Sequence, residues 1–151
     1  MSATLRVLEC LREVEATPNK LVLIVGKAGA GKSKILRELG DTRGFRYLDC
    51  RYLVTDELID LVPKARQEQA AGIMDEVLRG FSVETFLLDG IELLFKPVLC
   101  LEPLAILRQL SRKYSLIVAW PGEYSNGQLI FCDWQLNNHS FDAANLSIIE
   151  L

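Results

Sequence analysis

The residues best suited to chemistry in this chain lie side by side. Gly26, Lys27, Ala28, Gly29, Ala30, Gly31, Lys32 and Ser33 complete a G-x-x-x-x-G-K-S pattern. Glycines at that spacing let successive backbone N–H groups turn inward on phosphate oxygens. A helix opening at Lys32 and continuing through Lys34 brings its positive dipole end to the same place. The Lys32 ammonium is then expected on the outer phosphates of a nucleoside triphosphate, with the Ser33 hydroxyl on Mg²⁺. Chemistry at the terminal phosphate further needs a metal-holding carboxylate, a carboxylate that orients water, and a cation for the developing charge.

Asp89, at the end of the apolar run Phe86-Leu87-Leu88, has the form of a Walker B carboxylate and is the metal-holding candidate beside Ser33. Gly90 occupies the position where many P-loop ATPases carry the catalytic glutamate. Glu92 takes that role if Gly90 bends the chain back. It reads equally as a solvated residue opening a helical turn. Asp75, Glu76 and Glu123 are weaker candidates. Arg108 and Arg112 lie four residues apart on one helical face. Arg112, within Ser111-Arg112-Lys113, is the candidate arginine finger, acting in its own site or a neighbour's; a solvated helix end is the ordinary alternative. Glu123, Ser125 and Asn126 follow the strand on which AAA+ ATPases carry a polar sensor, and Trp120 reads as a packing residue. No Asn-Lys-x-Asp motif follows a strand, which favours ATP over GTP. Residues 18–20 stand where adenine packs in such cores. Arg43, Phe45, Arg46, Tyr47, Arg51 and Tyr52 interleave basic and aromatic side chains, a grip for single-stranded nucleic acid or a strand edge with solvated arginines. Residues 121–138 contain no Lys or Arg, which argues against the arginine-bearing lid of a small-molecule kinase.

These residues must be held by alternating strands and helices. Apolar runs predict strands at residues 21–25, 45–49, 83–89, 115–120 and 128–132, with a short final one at 148–149. Leu5, Leu8, Leu11 and Val14 predict a first helix. Thr55 caps a helix to residue 61, Pro63 starts one that Gly80 stops, and Pro103 opens another to about residue 113. Strands alternating with helices predict an α/β fold: a three-layer P-loop NTPase core with a mainly parallel five-stranded sheet, AAA+-like without a C-terminal lid. Residues 1–151 are expected to form one domain.

The net charge of −3 argues against general affinity for nucleic acid. Cys10, Cys50, Cys100 and Cys132 form no C-x-x-C pair, and the single His139 does not complete a usual zinc site. The chain opens without a hydrophobic signal region and has no stretch of membrane-spanning length, so a reduced cytoplasmic setting without membrane attachment is expected.

Four segments resemble the small P-loop protein family of type 3 BREX phage-defence systems (BrxF). They are residues 88–95 (Leu-Asp-Gly-Ile-Glu-Leu-Leu-Phe), 102–104 (Glu-Pro-Leu), 110–112 (Leu-Ser-Arg) and 118–124 (Val-Ala-Trp-Pro-Gly-Glu-Tyr). The chain departs from the family pattern at Phe131-Cys132 and at His139-Ser140-Phe141-Asp142. The resemblance implies a bacterial ATP-binding component of a multi-protein system acting on phage DNA. Its implied partners are the other defence proteins, with a homo-oligomer admitted and DNA reached mainly through those partners. The expected function is Mg²⁺-dependent ATP binding and hydrolysis, with weak basal turnover raised by assembly. The alternative is a nucleotide-responsive binding module with little or no hydrolysis.

Overall fold

The computed structural model describes residues 2–151. A helix, Ala3–Val14 (α1), precedes the strand Leu21–Val25 (β1) and the helix Lys32–Leu39 (α2). Phe45–Asp49 (β2) leads through a 3-10 turn to the short helix Asp56–Ile59 (α3) and the long helix Pro63–Arg79 (α4). Thr85–Asp89 (β3) is followed by two 3-10 turns, Ile91–Phe95 and Pro97–Leu99, and by the helix Pro103–Leu110 (α5). After Ser115–Ala119 (β4) come Glu123–Ser125 (β5), Gln128–Cys132 (β6) and Asn138–Asp142 (β7), and then Ser147–Glu150 (β8).

Five strands pair in parallel in the order β2-β3-β4-β1-β8. Parallel neighbours need crossover connections; helices supply those from β1 through β4, and the strands β5 to β7 fill the connection from β4 to β8. Side chains alternate across the sheet, so each face has its own partner layer. Leu21, Leu23 and Val25 join Met74, Leu78, Leu107 and other side chains of α4 and α5. Val22 and Ile24 join Val7, Leu11, Leu36 and Leu39 of α1 and α2. Burial from both sides explains why β1 and β4 are apolar at nearly every position.

Two expectations are corrected. The fifth strand of the parallel sheet is Ser147–Glu150, not Gln128–Cys132. The latter is the middle strand of an antiparallel meander, β5-β6-β7. Its reason is local: Leu129 and Phe131 point inward between wetter neighbours, the alternation of a sheet with one solvated face. Asn126 and Gly127 both take positive φ and close a two-residue hairpin that excludes a parallel partner for β6 on that side. In α1 the buried residues are Val7, Leu11 and Val14, while Leu5 is 54% exposed. A strict three-residue spacing drifts around a 3.6-residue helix, so the first leucine of the stripe leaves the core face.

The corner between α3 and α4 is held by one side chain. Arg66, buried, donates through Nε to the Leu58 carbonyl, through Nη1 to Val98 and Leu99, and through Nη2 to Ile59 and Leu61. All five guanidinium N–H groups thus have acceptors, and the segment after β3 is tied to the α3–α4 corner. Arg66→Lys supplies only three donors on a flexible stem. Urea titration of that variant is expected to show a loss of about 2–4 kcal/mol in unfolding free energy.

Candidate functional site

The glycine-rich loop leaves β1 at its carboxyl end, where ligand crevices of parallel α/β sheets form. Gly29 and Gly31 adopt φ of 85° and 101°, the left-handed region that side chains avoid. Gly26 has a different constraint from the expected backbone freedom: a Cβ there would lie 3.1 Å from the Cβ atoms of both Ala30 and Leu151. The loop is therefore closed by a tight approach at its start and by two left-handed residues near its end. Gly31 caps α2, so the helix begins at Lys32.

Beside the loop lies a cavity of ≈ 730 Å³, within the range of small-molecule sites. The glycine-rich loop with Lys32 and Ser33, the carboxylates Asp89 and Glu92 after β3, and a rim segment from Trp120 to Glu123 after β4 all line it. The Lys32 ammonium donates to the carbonyls of Gly26 (2.7 Å) and Trp120 (2.8 Å). Burial lowers its pKa from the ordinary lysine value, and the nearby carboxylates of Glu92 and Asp89 oppose that shift. The Lys32 ammonium thus shares a pocket open to solvent with the carboxylates of Asp89 and Glu92.

Asp89 is fixed from two directions. Its Oδ1 accepts the Gly90 N–H (3.0 Å) and its Oδ2 accepts the Tyr47 hydroxyl (2.7 Å). Burial, followed by the Asp89 hydrogen bond and charge, raises the Tyr47 pKa, so the phenol stays protonated as a donor at neutral pH. Gly90 has φ of 70° and turns the chain sharply after β3. That bend brings Glu92 back to the cavity lining. Burial also pushes the Cys50 thiol up, with Asp49, Asp89 and Glu92 adding to the effect, so Cys50 is a packed thiol.

Glu123 lines the cavity as well, whereas Ser125 lies beyond it in β5 and Asn126 in the hairpin turn. Asp75 is remote. It binds Lys113 at 2.8 Å and also Tyr114 and Arg79, and those hydrogen bonds hold its carboxyl below the usual range although burial alone would raise it. Arg108 donates to the carbonyls of Asp142 and Ala144, which assigns it to holding the segment before β8. Arg112 is exposed and adjoins the amino ends of β1 and β4, where Lys20 donates to its carbonyl. The glycine loop lies at the opposite end of β1, about 17 Å away along five residues. Arg112 is therefore not part of this chain's own cavity. Residues 18–20 lie at the same far end, with Asn19 bonded to the Arg108 carbonyl, so they are not beside the loop either.

Two contributors have no motif. Tyr47 is one. The other is the rim, where Trp120 is fully buried, packs edge-on against Phe95 and Phe141, and donates Nε1–H to the Ile130 carbonyl. Trp120 is a packing residue, as its sequence context suggests. Among the described residues, no group of three or more His, Cys, Asp or Glu side chains is arranged to hold a metal by itself. The donor set that fits Mg²⁺ is sparse, a hydroxyl at Ser33 and a carboxylate at Asp89, which suits an ion that keeps waters and phosphate oxygens.

No protein-family model matches the chain, and no curated protein matches it. Among solved structures, it is similar to a DNA replication initiation factor, with 19% identity and a TM-score of 0.38 over 79% of this chain. That overlap spans 38% of the other protein.

Gly122 admits no side chain, because a Cβ would fall 1.8 Å from the Ile130 carbonyl oxygen. Gly122→Ala is expected to lift the β5–β6 hairpin off the rim. Urea denaturation followed by tryptophan fluorescence should register a loss of about 1–3 kcal/mol.

Proposed function

We propose that this chain is a P-loop nucleotide-binding protein that binds ATP with Mg²⁺ and hydrolyses it, with weak turnover when alone. The observation that carries the reading is the convergence of Lys32, Ser33, Asp89 and Glu92 on one cavity at the carboxyl ends of parallel strands. Residues 26–34 then cradle the phosphates with backbone N–H groups, and Lys32 exchanges its two carbonyl acceptors for phosphate oxygens. Bound Mg²⁺ would neutralise charge between the outer phosphates, held through Ser33 and Asp89. Glu92 orients the attacking water and takes its proton. Arg112 lies at the other end of β1 from the loop, so as the cation for the developing charge it would serve only a neighbouring chain's site. Assembly is accordingly part of the proposal.

The resemblance of residues 88–95 and 118–124 to the BREX small P-loop proteins extends the reading. It makes the chain the cytoplasmic ATP-binding component of a bacterial phage-defence assembly, with the other defence proteins as partners and DNA reached mainly through them. No described helix is long and apolar enough to cross a membrane.

A second reading, a nucleotide-responsive module without appreciable hydrolysis, is favoured by one contact. The Trp120 carbonyl that Lys32 holds belongs to the residue whose indole anchors β6. Phosphate drawing Lys32 away would then be felt in the meander.

Calorimetric ATP titration with Mg²⁺ and steady-state phosphate release separate the readings. Lys32→Ala is expected to weaken ATP binding at least about tenfold under either. Unaltered binding in that variant overturns the assignment of the loop. Glu92→Gln is expected to keep ATP affinity while turnover falls by about 10²–10⁴. Turnover equal to wild type removes Glu92 as base, and tight ATP binding by wild type with no phosphate release supports the responsive module.

A further inference from the structure

We propose that Tyr47 is the positioning residue for the Asp89 carboxylate, holding it in the orientation in which it accepts the metal. The inference rests on the nucleotide-site reading above and adds to it a residue that belongs to neither phosphate-site motif. The two residues come together through the sheet. β2 and β3 pair with Tyr47 opposite Leu87 and Asp49 opposite Asp89. Tyr47 thus sits two positions short of the strand end, and its long side chain spans that distance to reach Oδ2 of Asp89 at 2.7 Å. The other carboxylate oxygen is taken by the Gly90 N–H of its own turn. A carboxylate gripped on both oxygens cannot swing about its χ2, yet each oxygen keeps a lone pair for a further ligand.

The phenol is itself held. Its side chain packs against the apolar cluster to which Leu36 and Leu39 of α2 belong. The Arg37 guanidinium of α2 lies 5.9 Å from the ring centroid. Gly40, just past the end of α2, lies beside it: a Cβ there would meet the Tyr47 Cβ in van der Waals contact at 3.4 Å. The helix that begins with Lys32 and Ser33 therefore packs along the same tyrosine that orients Asp89. Ser33 on α2 and Asp89 on β3 would otherwise be positioned by separate elements, and Tyr47 links their placement. Hydrogen-bond partners of metal-holding side chains typically alter metal affinity by about 10- to 100-fold when removed.

Tyr47→Phe keeps the ring and deletes only the hydroxyl. The test is ATP binding by calorimetry, first in EDTA and then across graded MgCl₂. It uses wild type, Tyr47→Phe, Asp89→Asn and the double variant. The expected result is unchanged ATP affinity in EDTA for Tyr47→Phe, with the Mg²⁺ concentration for half-maximal enhancement raised about tenfold or more. In the Asp89→Asn background, Tyr47→Phe should change the Mg²⁺ response no further. Tyrosine acting only through packing would shift EDTA and Mg²⁺ binding alike and add fully to Asp89→Asn. A Mg²⁺ response in Tyr47→Phe equal to wild type overturns the proposal while leaving the nucleotide site standing. Wild type whose ATP binding ignores Mg²⁺ overturns both, and wild type alone reveals it.

Discussion

The parallel pairing of β1 with β4 is the constraint from which the site follows. It sets Ile24 opposite Ala119, so the two strands end within a residue of each other, and Gly26 (just past Val25) and Trp120 leave the sheet close together. A lysine at the first turn of α2 can then reach carbonyls on both exits. β4, between β1 and β3, spaces cation and anion apart and leaves the cavity between them. Burial of β1 on both faces keeps this spacing rigid, because neither flanking strand can shift register without carrying its apolar side chains to the wrong layer.

Around that frame, the rim is built from materials unlike those of the base. The loop and α2 present backbone donors and lysines, whereas residues 114–151 contain no Lys or Arg at all. What holds the rim is aromatic packing. Phe95 stacks on Phe131 at 4.3 Å between centroids and meets Trp120 and Phe141 edge-on. Phe95 lies in the 3-10 turn that also carries Glu92, so the meander and the candidate base share one apolar anchor. Arg66 secures the far end of the same stretch through Val98 and Leu99. The segment from Gly90 to Leu99 is irregular in backbone but fixed by packing at one end and by a buried guanidinium at the other.

The sequence was most legible where the chemistry is local. The loop at residues 26–33, the strand ending in Asp89, and the helix boundaries at Gly40, Pro63 and Gly80 all depend on neighbours within a few positions. Gly90 offered a readable hint that Glu92 returns, because glycine tolerates the left-handed turn. Arg112 shows the limit. Helical spacing tells which face a residue occupies but not which end of the sheet that helix end adjoins. Tyr47 was legible only as part of a basic and aromatic strand, since its bond to Asp89 depends on β2 pairing with β3 across the intervening forty residues. The meander escapes sequence reading for a different reason: alternating Leu129 and Phe131 suit any half-buried strand, and the Asn126-Gly127 turn that decides the matter stands outside the run.

The order in which the strands occur along the chain has a consequence for the protein's birth. β1 emerges early, yet Leu21 finds its parallel partner only when Leu116 arrives, and its other edge stays open until Ser147–Glu150 does. At ordinary rates of synthesis that interval is on the order of ten seconds. Through it, a fully apolar five-residue strand has both hydrogen-bonding edges unpaired on the ribosome. Such a segment is a natural client for chaperones, and slow non-local pairing of this kind is where aggregation competes with folding.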